Sequence, residues 1–407
     1  MGRRLEFLPA APAAGPGALS LDTGAGLPRP ARAGWTATGL RQFVLKLHSR
    51  CNLACSYCYI YEGPDQSWRD KPGTMSPETI ALTASRIAEH VATHRPPWIE
   101  VVLHGGEPLM AGLPVLRNAA ETIRAAVPDT TAVRLIVQTN GLLLTEQMLE
   151  GLDALGILVA VSIDGSASDN DRRRRFRDGR GSFDAVSTGL RMLTSERFRH
   201  LFVGFLCVID LESDPLAVYE ALTVWDPPTV DLLLPHRTWA DPPPPGARYA
   251  AWLSEVFDHW YRSGSATGIR VFDEIIAVLL GARTGTTAIG AGPVQHVTVE
   301  TDGSLEADDI LKIAYAGAPE TGLTLARHSF DDYLATPALM DRRSGIDALC
   351  RECRECPIVG VCGGGTYPHR FRPGHGFANP SAYCHDLMAV ISHIKEAIIG
   401  DLSGRPA

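Results

Sequence analysis

Gln42-Phe-Val-Leu-Lys-Leu-His48 runs through Ser49-Arg50 into Cys51-Asn-Leu-Ala-Cys55-Ser-Tyr-Cys58, and this junction decides the fold. The first seven residues are a β-rich run suited to a pleated, half-buried surface. The cysteines follow on a loop at the strand's C-terminal end, where parallel sheets place their ligands. Three thiolates within eight residues close on one soft metal centre. They are one ligand short of tetrahedral saturation, so one position stays open. A zinc loop is the plain alternative. This spacing behind a strand, with Tyr57 and Tyr59 inside and beside it, is far more specific than a lone Cys-x2-Cys.

Outward from the junction, short β-rich runs alternate with longer amphipathic ones. Strands are expected near 42–48, 98–104, 132–138, 157–163, 201–209 and 230–235. Helices are expected near 76–94, 114–127, 145–155, 183–195 and 215–224, the first starting with Ser76 as N-cap and Pro77 at the first helical position. This alternation defines βαβ units and a parallel sheet, hence an α/β fold. Periodicity alone does not choose between a doubly wound sheet and an incomplete barrel. Downstream, the Pro-rich stretch 238–246 reads as a linker, with helices near 247–262 and 270–281 after it. Val297–Leu305 reads as a hairpin turning at Asp302-Gly303. Residues 340–384 are too irregular to build a core, so metal has to supply what packing does not. A last helix is expected near 385–399.

With 407 residues, 45% hydrophobic and 21% charged, the chain has ordinary globular usage. At roughly 100–200 residues per domain it holds two or three units. Collagen, coiled coil and wholesale disorder are excluded. No run of about 18 apolar residues occurs, so neither a membrane span nor a membrane partner is expected. The opening Met1–Pro9 lacks the apolar stretch of a signal peptide, and a cytoplasmic location is the expectation. The formal charge of −8 is spread along the chain and leaves no footprint for nucleic acid. Residues 1–35, rich in Ala, Pro and Gly, are expected to form a flexible arm.

An odd count of nine cysteines is a poor disulfide framework. Cys51, Cys55 and Cys58 lie together near the front; Cys350, Cys353, Cys356, Cys362 and Cys384 lie together near the end. Cys207 is isolated in an apolar run and reads as core packing. His104-Gly-Gly-Glu-Pro-Leu109 ends the second strand; its glycines allow close backbone approach, and Glu107 offers a counter-charge. Gln138-Thr-Asn-Gly141 and Ser162-Ile-Asp-Gly165 end the third and fourth. They set small polar side chains at the ligand rim, although simple Asx-Gly turns look the same. Asp171-Arg-Arg-Arg-Arg175 is either a solvated charge run or the source of one arginine for an anionic group.

Taken in order, these motifs resemble those of radical S-adenosylmethionine (radical SAM) enzymes. In that family the Cys-x3-Cys-x2-Cys motif holds a [4Fe–4S] cluster whose fourth iron is chelated by the methionyl amine and carboxylate of S-adenosyl-L-methionine. An electron from the cluster splits the sulfonium, and the 5′-deoxyadenosyl radical takes a hydrogen atom from the substrate. The resemblance implies Cys51, Cys55 and Cys58 as cluster ligands. It places Tyr57, Gly105, Gly106, Glu107, Asn140, Ser162 and Asp164 at the cofactor. It implies a partial (β/α)6 TIM-type barrel over 36–237, followed by a linker and bridging helices over 238–290.

Cys353-x2-Cys356-x5-Cys362 with Cys384 resembles one cluster site of the SPASM domain of peptide-modifying radical enzymes. The resemblance implies a SPASM-like domain over 291–407 with one auxiliary [4Fe–4S] cluster on those four cysteines. Ligands of the family's second auxiliary cluster are missing, since Asp308 and Thr366 stand at two of its positions. Cys350 is left over, and a structural zinc site is the alternative. Asp309 stands where sulfatase-maturing relatives place a catalytic base. Segments such as Phe43–His48, Glu300–Glu306, Gly360–Gly365, Tyr367–Arg370 and Asn379–Cys384 resemble cyclophane-forming maturases more finely. That subfamily oxidatively joins an aromatic ring carbon to a side-chain carbon two residues on in a ribosomally made precursor peptide. The expected partners are that peptide and a flavodoxin- or ferredoxin-type electron donor. The competing expectations are a sulfatase-type maturase that makes formylglycine, and a non-catalytic metal-holding scaffold that binds peptide.

Overall fold

The β-rich runs form the strands β1 (Gln42–His48), β2 (Trp98–Gly105), β3 (Ala132–Thr139), β4 (Ile157–Ser162), β5 (Phe202–Val208) and β6 (Thr229–Leu233). They lie side by side in that order, all parallel. Crossover helices join them: α1 (Pro77–His94), α2 (Gly112–Ala126), α3 (Glu146–Ala154), α4 (Ala167–Arg173), α5 (Phe183–Leu193) and α6 (Pro215–Thr223). This is the partial (β/α)6 TIM-type barrel, and it decides the question that periodicity left open. The coordinates are a computed structural model and describe residues 39–282 and 288–404, so the expected arm 1–35 lies outside the described residues.

Local chemistry accounts for the helix ends. Ser76 accepts a hydrogen bond from the Thr79 N–H, Thr145 one from Met148, and Asp214 one from Ala217. The apolar stripes of α1, α2, α3 and α5 close on one face of the strands, and Phe43, Leu45, Leu103, Val137, Val159 and Phe205 are buried beneath them. Cys207 is buried in this core, as its apolar run predicts.

The rest of the chain extends the same sheet. α7 (Arg248–Ser263), the short strand β7 (Gly268–Ile269, against β6) and α8 (Arg270–Leu279) follow the barrel. The expected hairpin is present as β8 (His296–Val299) and β9 (Ser304–Glu306), and β10 (Glu320–Thr324) pairs with β9. β8 pairs in parallel with β1, so the hairpin is stitched to the strand that leads into the cysteine loop. Short helices follow, α9 (Phe330–Leu334), α10 (Pro337–Arg343), α11 (Arg351–Arg354) and α12 (Val359–Cys362), and then the closing helix α13 (Cys384–Leu402). The stretch 238–246 is no free linker: the Trp239 N–H donates to the Phe371 carbonyl at 3.0 Å, and its indole to the Pro380 carbonyl at 2.8 Å. No described helix is long and apolar enough to cross a membrane.

Candidate active site

The loop after β1 brings its three cysteines into one bend. The Cys58 N–H donates to the Cys55 carbonyl at 3.1 Å. Residues 173–181 hold the loop from outside, with the Ala54 and Ser56 N–H groups donating to the Arg175 and Arg173 carbonyls at 2.8 and 3.0 Å. Arg177 donates to the Cys51 carbonyl at 3.1 Å. Burial pushes the Cys51 thiol up to about 12 and Cys55 to about 11. A metal's positive charge would favour the thiolates that burial opposes. A single zinc ion with Zn–S of about 2.3 Å would need sulfurs roughly 3.8 Å apart. Among the described residues no cysteine triad has its sulfurs within 4.8 Å of one another; the triad that close is His90, His94 and Asp331. His90 is already committed, its Nε2 accepting the Leu40 N–H at 2.8 Å and its Nδ1 facing Asp331 at 2.9 Å.

The motifs at the ends of β2, β3 and β4 converge on this loop. A Cβ on Gly106 would lie 1.8 Å from the Tyr61 hydroxyl and 2.5 Å from the Arg50 carbonyl, so only glycine lets β2 approach so closely. Glu107 is fully buried. Its carboxylate accepts from the Leu109 N–H at 2.9 Å, the Thr139 hydroxyl at 2.8 Å and the Asn140 N–H at 2.8 Å. These donors are neutral, and burial raises its pKa, so the site fits an incoming ammonium. Asn140 reaches the cysteine loop, donating to Asn52 Oδ1 at 2.7 Å and lying 3.6 Å from Cys51 Sγ. Asp164 accepts from the Tyr57 hydroxyl at 2.6 Å and from the Val208 N–H at 3.0 Å. Ser162 is half-buried at the end of β4. The arginine run resolves into distinct roles. Arg172 and Arg173 pair with Asp210, and Arg175 is exposed. Arg174 is buried, donates to the Tyr57 hydroxyl at 2.8 Å, and leaves its Nε without a partner among the described residues. A buried guanidinium with a spare donor beside Cys55 and Asp164 fits an anionic end of a ligand.

Asp309, 250 residues downstream of Tyr59, meets the same rim. Its Oδ2 lies 2.9 Å from the Lys46 ammonium and accepts from the Tyr59 hydroxyl at 2.8 Å; His104 Nδ1 is 3.8 Å away. Lys46 and His104 are register partners on β1 and β2, so their side chains share one face. Burial opposes ionisation of Asp309, but the Lys46 charge and the hydrogen bonds from Lys46 and Tyr59 outweigh it and hold the carboxyl well below the carboxylate range. Burial, then Lys46, pulls His104 down to about 4, so it is a neutral imidazole. Tyr59 packs edge-on against His236, whose Nδ1 lies 3.1 Å from His369 Nε2. Lys46, His104, Arg174, His236 and His369 complete a site that the motifs only partly define. Lys46 is detectable as a charge inside an apolar strand, His104 opens the motif that ends β2 and His369 lies in the segment Tyr367–Arg370, whereas His236 carries no sequence signal of its own. Neighbouring Asp308 is bound to Arg342 at 3.0 Å, and Arg342 lies over the Tyr367 ring at 4.7 Å. That buried pair spans from position 308 to the residue beside Thr366.

At the back, Cys350, Cys353 and Cys356 share one small apolar cluster, and Cys356 and Cys362 also pack against the main core. Three successive glycines after Cys362 are left-handed, and Arg370 clamps their carbonyls at 2.8 to 3.0 Å. A Cβ at Gly363 would lie 1.8 Å from the Gly290 carbonyl.

A parallel partial barrel with three cysteines at the mouth of its first strand defines a class, and comparison agrees. Residues 45–216, which form most of the barrel, match the Radical SAM superfamily, and the chain is an enzyme with a radical SAM barrel. That family implies a [4Fe–4S] cluster and S-adenosylmethionine. The chain is 24% identical over 368 residues to a serine-type anaerobic sulfatase-maturating enzyme of Bacteroides thetaiotaomicron, covering 84% of this chain and 86% of that protein. It is 23% identical to a cysteine-type anaerobic sulfatase-maturating enzyme of Clostridium novyi over 78% of this chain and 86% of that one. Native anSMEcpe with bound AdoMet has the same fold at a TM-score of 0.76 and 21% identity, covering 89% of this chain and 99% of that chain. Streptococcus suis SuiB bound to precursor peptide SuiA superposes at a TM-score of 0.59 and 12% identity, covering 85% and 76%.

Proposed function

We propose that this radical SAM enzyme is a peptide maturase that joins an aromatic ring carbon to a side-chain carbon of a ribosomally made precursor peptide. The observation that carries the reading is the placing of Asp309 at the barrel rim against Tyr59, the residue after Cys58, with the neighbouring Asp308 position closed by a buried ion pair to Arg342. Peptide as substrate class is supported by the solved relatives anSMEcpe with Cp18Cys peptide and SuiB with SuiA.

Crosslinking removes two hydrogens from the peptide, one as an atom and one as a proton plus an electron. Cys51, Cys55 and Cys58 would hold the [4Fe–4S] cluster that binds S-adenosyl-L-methionine, and together these would supply the radical chemistry that removes the atom. Cys353, Cys356, Cys362 and Cys384 would hold a second [4Fe–4S] cluster, which would supply an electron sink. Glu107 receives the methionyl ammonium, and Arg174 holds its carboxylate. Gly105, Gly106, Asn140 and Ser162 shape the surrounding rim. Tyr57 and Asp164 fix the position of Arg174. Asp309, kept ionised by Lys46 and oriented by Tyr59, accepts the ring proton. A carboxylate of such low basicity suffices because a ring that has lost its electron is a strong acid. Exposed Arg69, Arg175 and Arg177 near Cys51 fit an acidic flavodoxin- or ferredoxin-type donor. A reducing cytoplasm suits both clusters.

The second reading is formylglycine formation, and the sulfatase-maturating relatives favour it. Both reactions remove two hydrogens when the substrate residue is serine, so peptide mass does not separate them. The test is anaerobic turnover of synthetic peptides carrying either an aromatic residue two positions before an aliphatic or polar one, or a sulfatase-type Ser or Cys motif. A product that resists hydrazine trapping and blocks fragmentation across the bridged residues supports crosslinking. A hydrazine-reactive aldehyde establishes formylglycine instead. Failure to release 5′-deoxyadenosine with either peptide would leave only a binding scaffold.

A further inference from the structure

The C-terminal region carries five thiols, and a cubane takes four. Cys362 precedes the glycine turn, Cys384 opens α13, and Cys356 packs with both apolar clusters of this region. The remaining corner is claimed twice. Cys350 is the N-cap residue of α11, and Cys353 lies inside that helix three residues on. Residues three apart on a helical turn are neighbours. The two side chains share one small apolar cluster with Leu349, Val359, Ile346 and Cys356. Cys353 is buried and Cys350 partly exposed, so they approach one corner from the inside and from the solvent side.

We propose that Cys350 is a fifth thiolate ligand of the auxiliary site, exchangeable with Cys353 on one iron. The proposal rests on the auxiliary-cluster reading above. It assigns a use to the one C-terminal cysteine that the four-ligand set leaves out. It also gives the site two ligation states of equal charge, interconverted by rotation of neighbouring side chains on one helical turn.

The test is iron content in a Cys51→Ala/Cys55→Ala/Cys58→Ala background, so that the iron left reports the back site alone. That parent should hold about four irons per chain. Adding Cys353→Ala or Cys350→Ala should each leave iron at the parent level, whereas the Cys350→Ala/Cys353→Ala pair should lose it almost completely. The reduced cluster's paramagnetic resonance should differ between the two single variants, since one iron carries a different thiolate. Cys353→Ser repeats the test without emptying the buried position. Loss of iron from both Cys353→Ala and Cys353→Ser would show that Cys350 cannot ligate. Retention of iron by the pair would show that neither cysteine is a ligand. A parent without iron would remove the auxiliary cluster itself, and the proposal with it.

Discussion

Glu107 serves the fold and the site with one carboxylate. It ties the end of β2 to Thr139 and Asn140 on β3, and it leaves a buried negative charge facing the cysteine loop. Glu107→Gln keeps the volume and removes the charge. A charge-assisted contact is worth about 1.5–3 kcal/mol, so cofactor binding should weaken about 10–150-fold while front-cluster iron stays. An unchanged dissociation constant by calorimetry would refute the role. Asp309→Asn should still cleave S-adenosyl-L-methionine and exchange substrate hydrogen into 5′-deoxyadenosine, yet lose about 10²–10⁴-fold in crosslinked product. Asp308→Asn would instead leave Arg342 without its anion, so its loss should appear in thermal stability. His104 carries a pH signature. Its pKa falls from 6.5 to about 4 on folding, so between those values the unfolded chain takes up a proton that the native state refuses. Stability therefore drops as pH falls through that window, by about 2 kcal/mol at pH 5 from this group. Thermal melts at pH 7 and 5 should show His104→Gln losing less than the parent chain; equal losses would place the effect elsewhere.

At the scale of elements, close approaches carry the site. β1 and β2 come together at Gly105, whose Cβ would lie 2.2 Å from the His48 carbonyl, and at Gly106. Gly106→Ala has no room without moving Tyr61 or the Arg50 backbone. We expect it to lose front-cluster iron while keeping the back site, as read by iron content in the soluble protein. The strand and helix positions were legible from periodicity because each element buries one continuous apolar face. The pairing of β8 with β1 was not, since four residues of a hairpin carry no information about which distant strand they join. Nor was the anchoring of 238–246, where a Pro-rich composition conceals two hydrogen bonds from Trp239.

For the whole molecule, the two cysteine sets predict about eight irons per chain, four at each site. Alanine at Cys51, Cys55 and Cys58 together should leave about four and abolish cofactor cleavage. Values near four or twelve for the unmodified chain would defeat this assignment. The sites stay coupled because one sheet runs through both regions: β8 to β10 extend the barrel, and Asp309 returns from beyond the hairpin to Lys46 on β1. A chain cut between barrel and C-terminal region would thus expose β1 as an edge and leave Lys46 buried without its anion.

Spacing along the chain by itself determined the alternating strands and helices of a parallel sheet, the front cysteine loop and the two groups of thiols. Those features are local: a strand, a turn and ligands a few residues apart encode their geometry in neighbouring side chains. Tertiary structure alone decided which of four successive arginines turns inward, that Asp309 is held by a lysine from the first strand, and that Cys350 shares an apolar cluster with Cys353 and Cys356. Each depends on contacts between residues distant in sequence, where burial and charge pairing are set by the packed fold and by nothing in the local pattern.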